Sequence, residues 1–184
     1  YGAANGWGAI TIANFVGAPL LGSVLLQIPI GRLSDRLPRR GVLTAASAGA
    51  AAMSFVMLAI NGSGLVPTVC LALMGGMAFP IYSITVAYIN DWLRTEQMTG
   101  AAALLVRVHG VGAFVGPLLA TPAMGASLKM YFCIPAVIFV VMTGYLIYRI
   151  FLHDAPSVED QGRFQPFPLR ASRMVVALLY RRRH

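Results

Sequence analysis

The stretch Gly31-Arg32-Leu33-Ser34-Asp35-Arg36-Leu37-Pro38-Arg39-Arg40 separates two long apolar segments near the start of the chain. It contains four arginines and one aspartate, so its net charge is +3 (4 − 1). Placing one charged side chain at the centre of a bilayer costs about 2.5 kcal/mol even by the lowest estimates. The stretch is therefore predicted to be a loop beside a membrane, with membrane-spanning segments before and after it.

Outward from this loop, the sequence divides into five apolar segments, each long enough to cross a bilayer, which takes about 20 residues. The predicted helices cover residues 10–30, 42–60, 66–89, 101–121 and 130–152. The 184 residues are 58% hydrophobic and 11% charged, and a soluble protein of this length could not bury so much apolar surface. These features predict an all-α integral membrane protein with a cytoplasmic tail over residues 153–184.

The basic residues predict the orientation of the chain. Twelve arginines fall on one side of the predicted spans, whereas the opposite side has only Lys129. Because cytoplasmic loops are enriched in Lys and Arg, the basic side is predicted to be cytoplasmic and the residues before the first helix external. The net charge of +8 thus reflects topology and anionic lipid rather than nucleic-acid binding.

The start of the chain and the two cysteines provide further information about the class of protein. The chain begins at Tyr1 without a signal-peptide pattern, so we expect it to be part of a longer protein. Cys70 and Cys133 lie in separate apolar segments without CxxC spacing, which favours unreactive buried thiols. No metal site, cofactor or catalytic constellation is expected from the sequence.

The charged loop resembles the signature loop of the major facilitator superfamily, in which a Gly is followed by Asp-Arg and then by two basic residues. Two further stretches strengthen the likeness, namely Pro80-Ile81-Tyr82-Ser83 leading to Asn90-Asp91, and Gly110-Val111-Gly112 leading to Gly116-Pro117-Leu118. Together they are similar to the YcaD-like branch of bacterial carriers. The resemblance covers roughly residues 1–152, and Pro38 stands where the family more often has Gly.

This resemblance implies a secondary transporter of a small organic solute that works by alternating access in the bacterial inner membrane. The five helices would be the eighth to twelfth of the family, a truncated six-helix C-terminal half whose N-terminal half is missing. In the family, contacts of the loop latch the two halves together, which would make Gly31, Asp35, Arg36, Arg39 and Arg40 gating residues. The alternative interpretation is a basic loop that only sets topology.

Arg107 lies well inside the fourth predicted span, whereas Arg149 is at the edge of the fifth. An ionised residue inside a span normally faces a cavity or a partner, and we expect Arg107 to face an aqueous cavity near the third helix. Substrate contact and snorkelling to the interface both stay open. His109 lies about 200° around the helix from Arg107, beside the small residues Gly112 and Gly116. This position favours a packed histidine over a proton carrier.

Tyr82 and Thr85 on the third helix, and Asn14 on the first, are the other candidates for substrate binding, with helix–helix hydrogen bonding as the alternative. Asn90 and Asp91 are interpreted as helix-end and interface residues. Two other functions compete with transport. One is a non-transporting sensor, scaffold or inactive remnant of a carrier. The other is an intramembrane enzyme, which is disfavoured because the spans lack paired acids.

Overall fold

The computed structural model describes residues 2–60, 62, 64–93, 95–126 and 128–152, and for 95, 96, 123–126, 128 and 129 it describes the backbone alone. These residues form five α-helices and two short 3-10 helices, which are joined by turns. The 3-10 helices are Ala3–Asn5 and Leu128–Phe132. The α-helices are α1 (Ala9–Ser34), α2 (Arg39–Ala59), α3 (Leu65–Asn90), α4 (Thr95–Ala126) and α5 (Cys133–Leu152). All five are long and apolar enough to cross a membrane. The predicted all-α membrane fold is confirmed.

The helices extend further at their charged ends than predicted. α1 runs past residue 30 to Ser34 and α2 begins at Arg39, so the predicted loop over residues 31–41 is reduced to a turn over 35–38. α4 begins at Thr95 instead of residue 101. The prediction ended each helix at polar residues, but a helix ends where its backbone hydrogen bonds end, not where lipid ends. The predicted tail lies outside the described residues.

α1 and α3 approach each other through glycines. A Cβ atom on Gly22 of α1 would overlap the backbone carbonyl of Ala72, and one on Gly75 of α3 would overlap the backbone of Pro19. Small residues at helix crossings in membranes allow this close approach, which increases van der Waals contact where lipid gives no hydrophobic drive. The α1–α3 pair is therefore held by backbone-to-backbone packing.

α2 packs against both α3 and α5. One hydrophobic cluster joins these three helices and comprises Val42, Leu43, Ala46, Ile81, Ile84 and Leu146. A second cluster joins the opposite halves of α1, α2 and α3 to Phe132. A polar contact also links α2 and α5, since Thr143 Oγ1 lies 2.9 Å from Ser47 Oγ. These contacts unite α2, α3 and α5 along much of their length.

α4 differs from the other helices in its exposure. Between residues 97 and 122, none of its residues is buried. A Cβ on Gly112 or Gly116 would meet nothing within 4 Å. The small residues Gly112 and Gly116 of the predicted packing stripe therefore do not pack closely against another helix in the described part of the chain.

Candidate functional site

The turn over residues 35–38 lies at one end of the bundle, together with the C-terminal ends of α3 and α5; we refer to this end as the basic end. The last turn of α1 is closed by a hydrogen bond from Ser34 Oγ to the carbonyl of Gly31 at 2.7 Å, and both residues are buried. Asp35 is half-buried at the end of α1, whereas Arg36 is exposed. The turn therefore begins from a buried, well-ordered helix end.

Arg39 forms a buried ion pair with Asp91 at the end of α3. Its Nε lies 3.2 Å from Asp91 Oδ2, and the two side chains are only 1% and 6% exposed. Each charge is at the unfavourable end of its own helix, because the cation is at the N-terminus of α2 and the carboxylate at the C-terminus of α3. The ion pair offsets the unfavourable interaction of each charge with its own helix dipole. It also joins α2, directly after the turn over residues 35–38, to the end of α3.

Arg40 occupies a second buried site at the basic end. Its Nε donates to the hydroxyl of Tyr88 at 2.6 Å, and its Nη1 donates to the carbonyl of Arg149 at 3.1 Å. The guanidinium carbon lies 5.5 Å from the ring centre of Tyr88 and 5.9 Å from that of Trp92. Both distances are within the range of cation–π attraction. One side chain on α2 thus contacts α3 and α5 together.

Arg39 and Arg40 are only 2% and 4% exposed, and the sequence did not predict that they are buried. Sequence reasoning grouped Arg39 and Arg40 with Arg36 as candidate gating residues, and it interpreted Asp91 as a helix-end and interface residue. One signal was present in the sequence: Tyr88, Asp91 and Trp92 follow i, i+3, i+4 spacing, which is typical of side chains on the same side of a helix or of its end. Their partners on α2 could not be inferred, because the contact spans a large separation in sequence.

The predicted binding residue Asn14 lines an open groove between α1 and α3, at the end of the bundle opposite the basic end. The groove has a volume of about 740 Å³, and its polar side chains are Thr11, Asn14 and Thr68. The remaining lining residues are small or aliphatic: Ala13, Gly17, Ala18, Leu21, Gly64, Leu65, Val69 and Ala72. The groove can therefore accept an uncharged molecule with a hydrogen-bonding group.

The other candidates lie further along α3 and on α4. The ring of Tyr82 is 5.3 Å from the ring of His109, with an interplanar angle of 53°. Thr85, one turn along α3, is half-buried, and Arg107 is exposed. Because Arg107 precedes His109 by two positions, it points about 200° away from the side of α4 that meets Tyr82. His109, rather than Arg107, faces α3.

The structure therefore brings together only some of the predicted site residues. Ala72 in the groove and Tyr82 are ten positions apart on α3, or about 15 Å along the helix axis. Tyr82 and His109 form one location, Asn14 another, and Arg107 a third. Their roles in substrate binding, and that of His109 in coupling, stay predictions.

The described residues form five apolar helices, three of which are joined at the basic end by buried arginine contacts, and these features define a polytopic membrane protein. The family model of the Major Facilitator Superfamily matches residues 1–183, so the chain belongs to this superfamily of secondary transporters. Comparison with curated proteins and with solved structures gave no match. Within the described residues, no three His, Cys, Asp or Glu side chains come together in a group that could hold a metal ion.

Proposed function

We propose that this chain is the C-terminal helical bundle of a carrier of the YcaD-like branch, and that the carrier moves a small organic solute by alternating access. The observation that carries this proposal is the buried pair of Arg39 and Asp91. It connects the signature turn to α3, the helix on which Tyr82 and Thr85 lie. A loop that only set topology would have no need to bury a charge.

The surfaces left open in the bundle support the assignment to one half of a larger carrier. α4 buries no residue between 97 and 122, and the groove between α1 and α3 is open. In carriers of this family, each six-helix half contains two three-helix inverted repeats, and solutes bind near the interface between repeats. In the proposed carrier, helices of the other half and one further helix of this half would cover these surfaces.

A non-transporting sensor, scaffold or inactive remnant is the main alternative, because a bundle without its partner half could not alternate. The coding sequence upstream of Tyr1 distinguishes the two. Six or seven further spans favour a carrier, whereas their absence favours the alternative. Membership in a transporter family favours a carrier, or a non-transporting relative of one, over an intramembrane enzyme.

We further propose that the basic end is cytoplasmic, in the inner membrane of a bacterium, because the arginines concentrate there. In a background with Cys70 and Cys133 replaced by Ala, Leu37→Cys at the basic end should react with an impermeant maleimide only after permeabilisation. Leu65→Cys at the opposite end should react in intact cells. Both side chains are exposed, at 46% and 81%, so the reagent can reach either position from its own side of the membrane. The reverse pattern would contradict the orientation.

The proposed gating role is tested at Asp35 in the complete carrier, reconstituted in liposomes with a panel of small organic solutes. Asp35→Asn keeps the size of the side chain but removes its charge, so it should slow uptake severalfold at equal membrane abundance. Arg32→Gln, at an exposed arginine in the last turn of α1 that is not among the proposed gating residues, is the control for a general loss of charge. Uptake unchanged by Asp35→Asn would reduce the turn to a topology signal. The absence of uptake for every solute would instead favour the non-transporting alternative.

A further inference from the structure

The guanidinium of Arg40 contacts two other helices. Nε donates to the Tyr88 hydroxyl, Nη1 donates to the Arg149 carbonyl, and the planar group lies near the rings of Tyr88 and Trp92. The two rings also meet each other at 6.2 Å and 77°, an edge-to-face arrangement. With only 4% of the residue exposed, water does not compete for these contacts.

The contact with Arg149 lies near the end of α5. Arg149 is in the last turn of α5 as the structure describes it, to Leu152, and carbonyls in the last turn of a helix are available to donors from outside the helix. The negative end of a helix also attracts a cation. Arg40 supplies both a donor and a positive charge from a neighbouring helix.

We propose that Arg40 is a positioning residue that locks the basic ends of α2, α3 and α5 into one unit. The signature turn then moves with α3 and α5 instead of independently of them. The hydrophobic cluster that joins these helices begins at Val42, two residues after Arg40. Arg40 therefore extends the packed region to the end of the bundle, where side chains of α2 would otherwise face water.

Arginine is required for this role because the donors must point in two directions at once. A lysine ammonium is a compact charge on a flexible stem, and it lacks the planar fork that addresses two acceptors and stacks on rings. Lysine at position 40 keeps the charge, and hence any contribution to topology. A difference between the two residues therefore reports geometry.

The test is hydrogen–deuterium exchange on the full chain in lipid nanodiscs. For Arg40→Lys we expect the amides at the last turns of α3 and α5 to exchange about tenfold faster, which corresponds to about 1.4 kcal/mol. Amides near Ala46 and Thr143, in the middle of α2 and α5, should keep their wild-type rates. Arg36→Lys, at an exposed arginine of the same turn, should exchange like the wild type throughout.

Tyr88→Phe provides a second variant that removes one hydrogen-bond acceptor and keeps the ring. It should accelerate exchange at the end of α3 by a smaller factor than Arg40→Lys does. Uniform acceleration along all helices in Arg40→Lys would mean that Arg40 contributes only general stability, and would overturn the proposal. Wild-type exchange at both helix ends would overturn it as well. The result does not depend on which solute the carrier moves.

Discussion

Gly22→Ala is expected to destabilise the bundle by about 1–3 kcal/mol or more, the range for inserting a methyl group into a filled site. The added Cβ would overlap the carbonyl of Ala72, which is backbone and cannot rotate away as a side chain could. Relief requires α1 and α3 to separate, and this movement would also disturb the contact of Gly75 with Pro19. The effect should appear as a lower midpoint in thermal unfolding of the purified chain.

Gly17→Ala is the matched control for this prediction. Gly17 belongs to the same helix, and a Cβ there would meet nothing within 4 Å. Since alanine is the better helix former, by about 0.5–1 kcal/mol, this variant should be as stable as the wild type or slightly more so. Equal midpoints for the two variants would contradict the close approach of α1 and α3.

Arg39→Gln is expected to cost about 3–5 kcal/mol, because it leaves the carboxylate of Asp91 buried without its cation. Arg36→Gln removes the same charge three residues earlier, but from an exposed side chain, and should stay within about 0.5 kcal/mol of the wild type. The comparison holds the change of residue type constant and varies only burial. Thermal unfolding in detergent measures both.

The double variant Arg39→Gln/Asp91→Asn separates the loss of the pair from the stranding of one charge. If the two side chains interact as their 3.2 Å separation indicates, the double variant should lose less stability than the sum of the single variants. Strict additivity would show that the pair contributes no coupling. The cost of Arg39→Gln would then reflect lost packing of the arginine stem.

The two buried arginines also change the view of the signature turn. The charges of the turn and its flanking residues alone suggest a basic loop in water. In the structure, Arg39 and Arg40 are buried in the bundle and Arg36 is exposed. Arg39 connects the turn to α3 by an ion pair, and Arg40 connects it to α3 and α5 by hydrogen bonds and ring contacts. Movement of the turn would therefore act on the helix that includes Tyr82 and Thr85.

The sequence by itself determined the class of protein, the number of helices and the resemblance to the superfamily. These follow from local properties: an apolar segment of about 20 residues must form a helix in lipid because its backbone groups have no other partners. Each predicted span ended at the charged residues beside it, although the helices in the structure continue past those residues. The candidate binding residues were chosen because a charged or polar side chain is energetically costly inside a membrane span. The structure separates them into three locations.

Only the tertiary structure decided which arginines are buried, which glycines meet backbone and which side of α4 faces α3. Arg36 and Arg40 belong to the same basic stretch, and no local property of the sequence distinguishes them. The difference depends on where Tyr88, Trp92 and the end of α5 lie, and those residues are brought to Arg40 by helix packing. In the same way, Gly22 and Gly17 are both small residues in an apolar helix, but only Gly22 lies where α3 crosses α1.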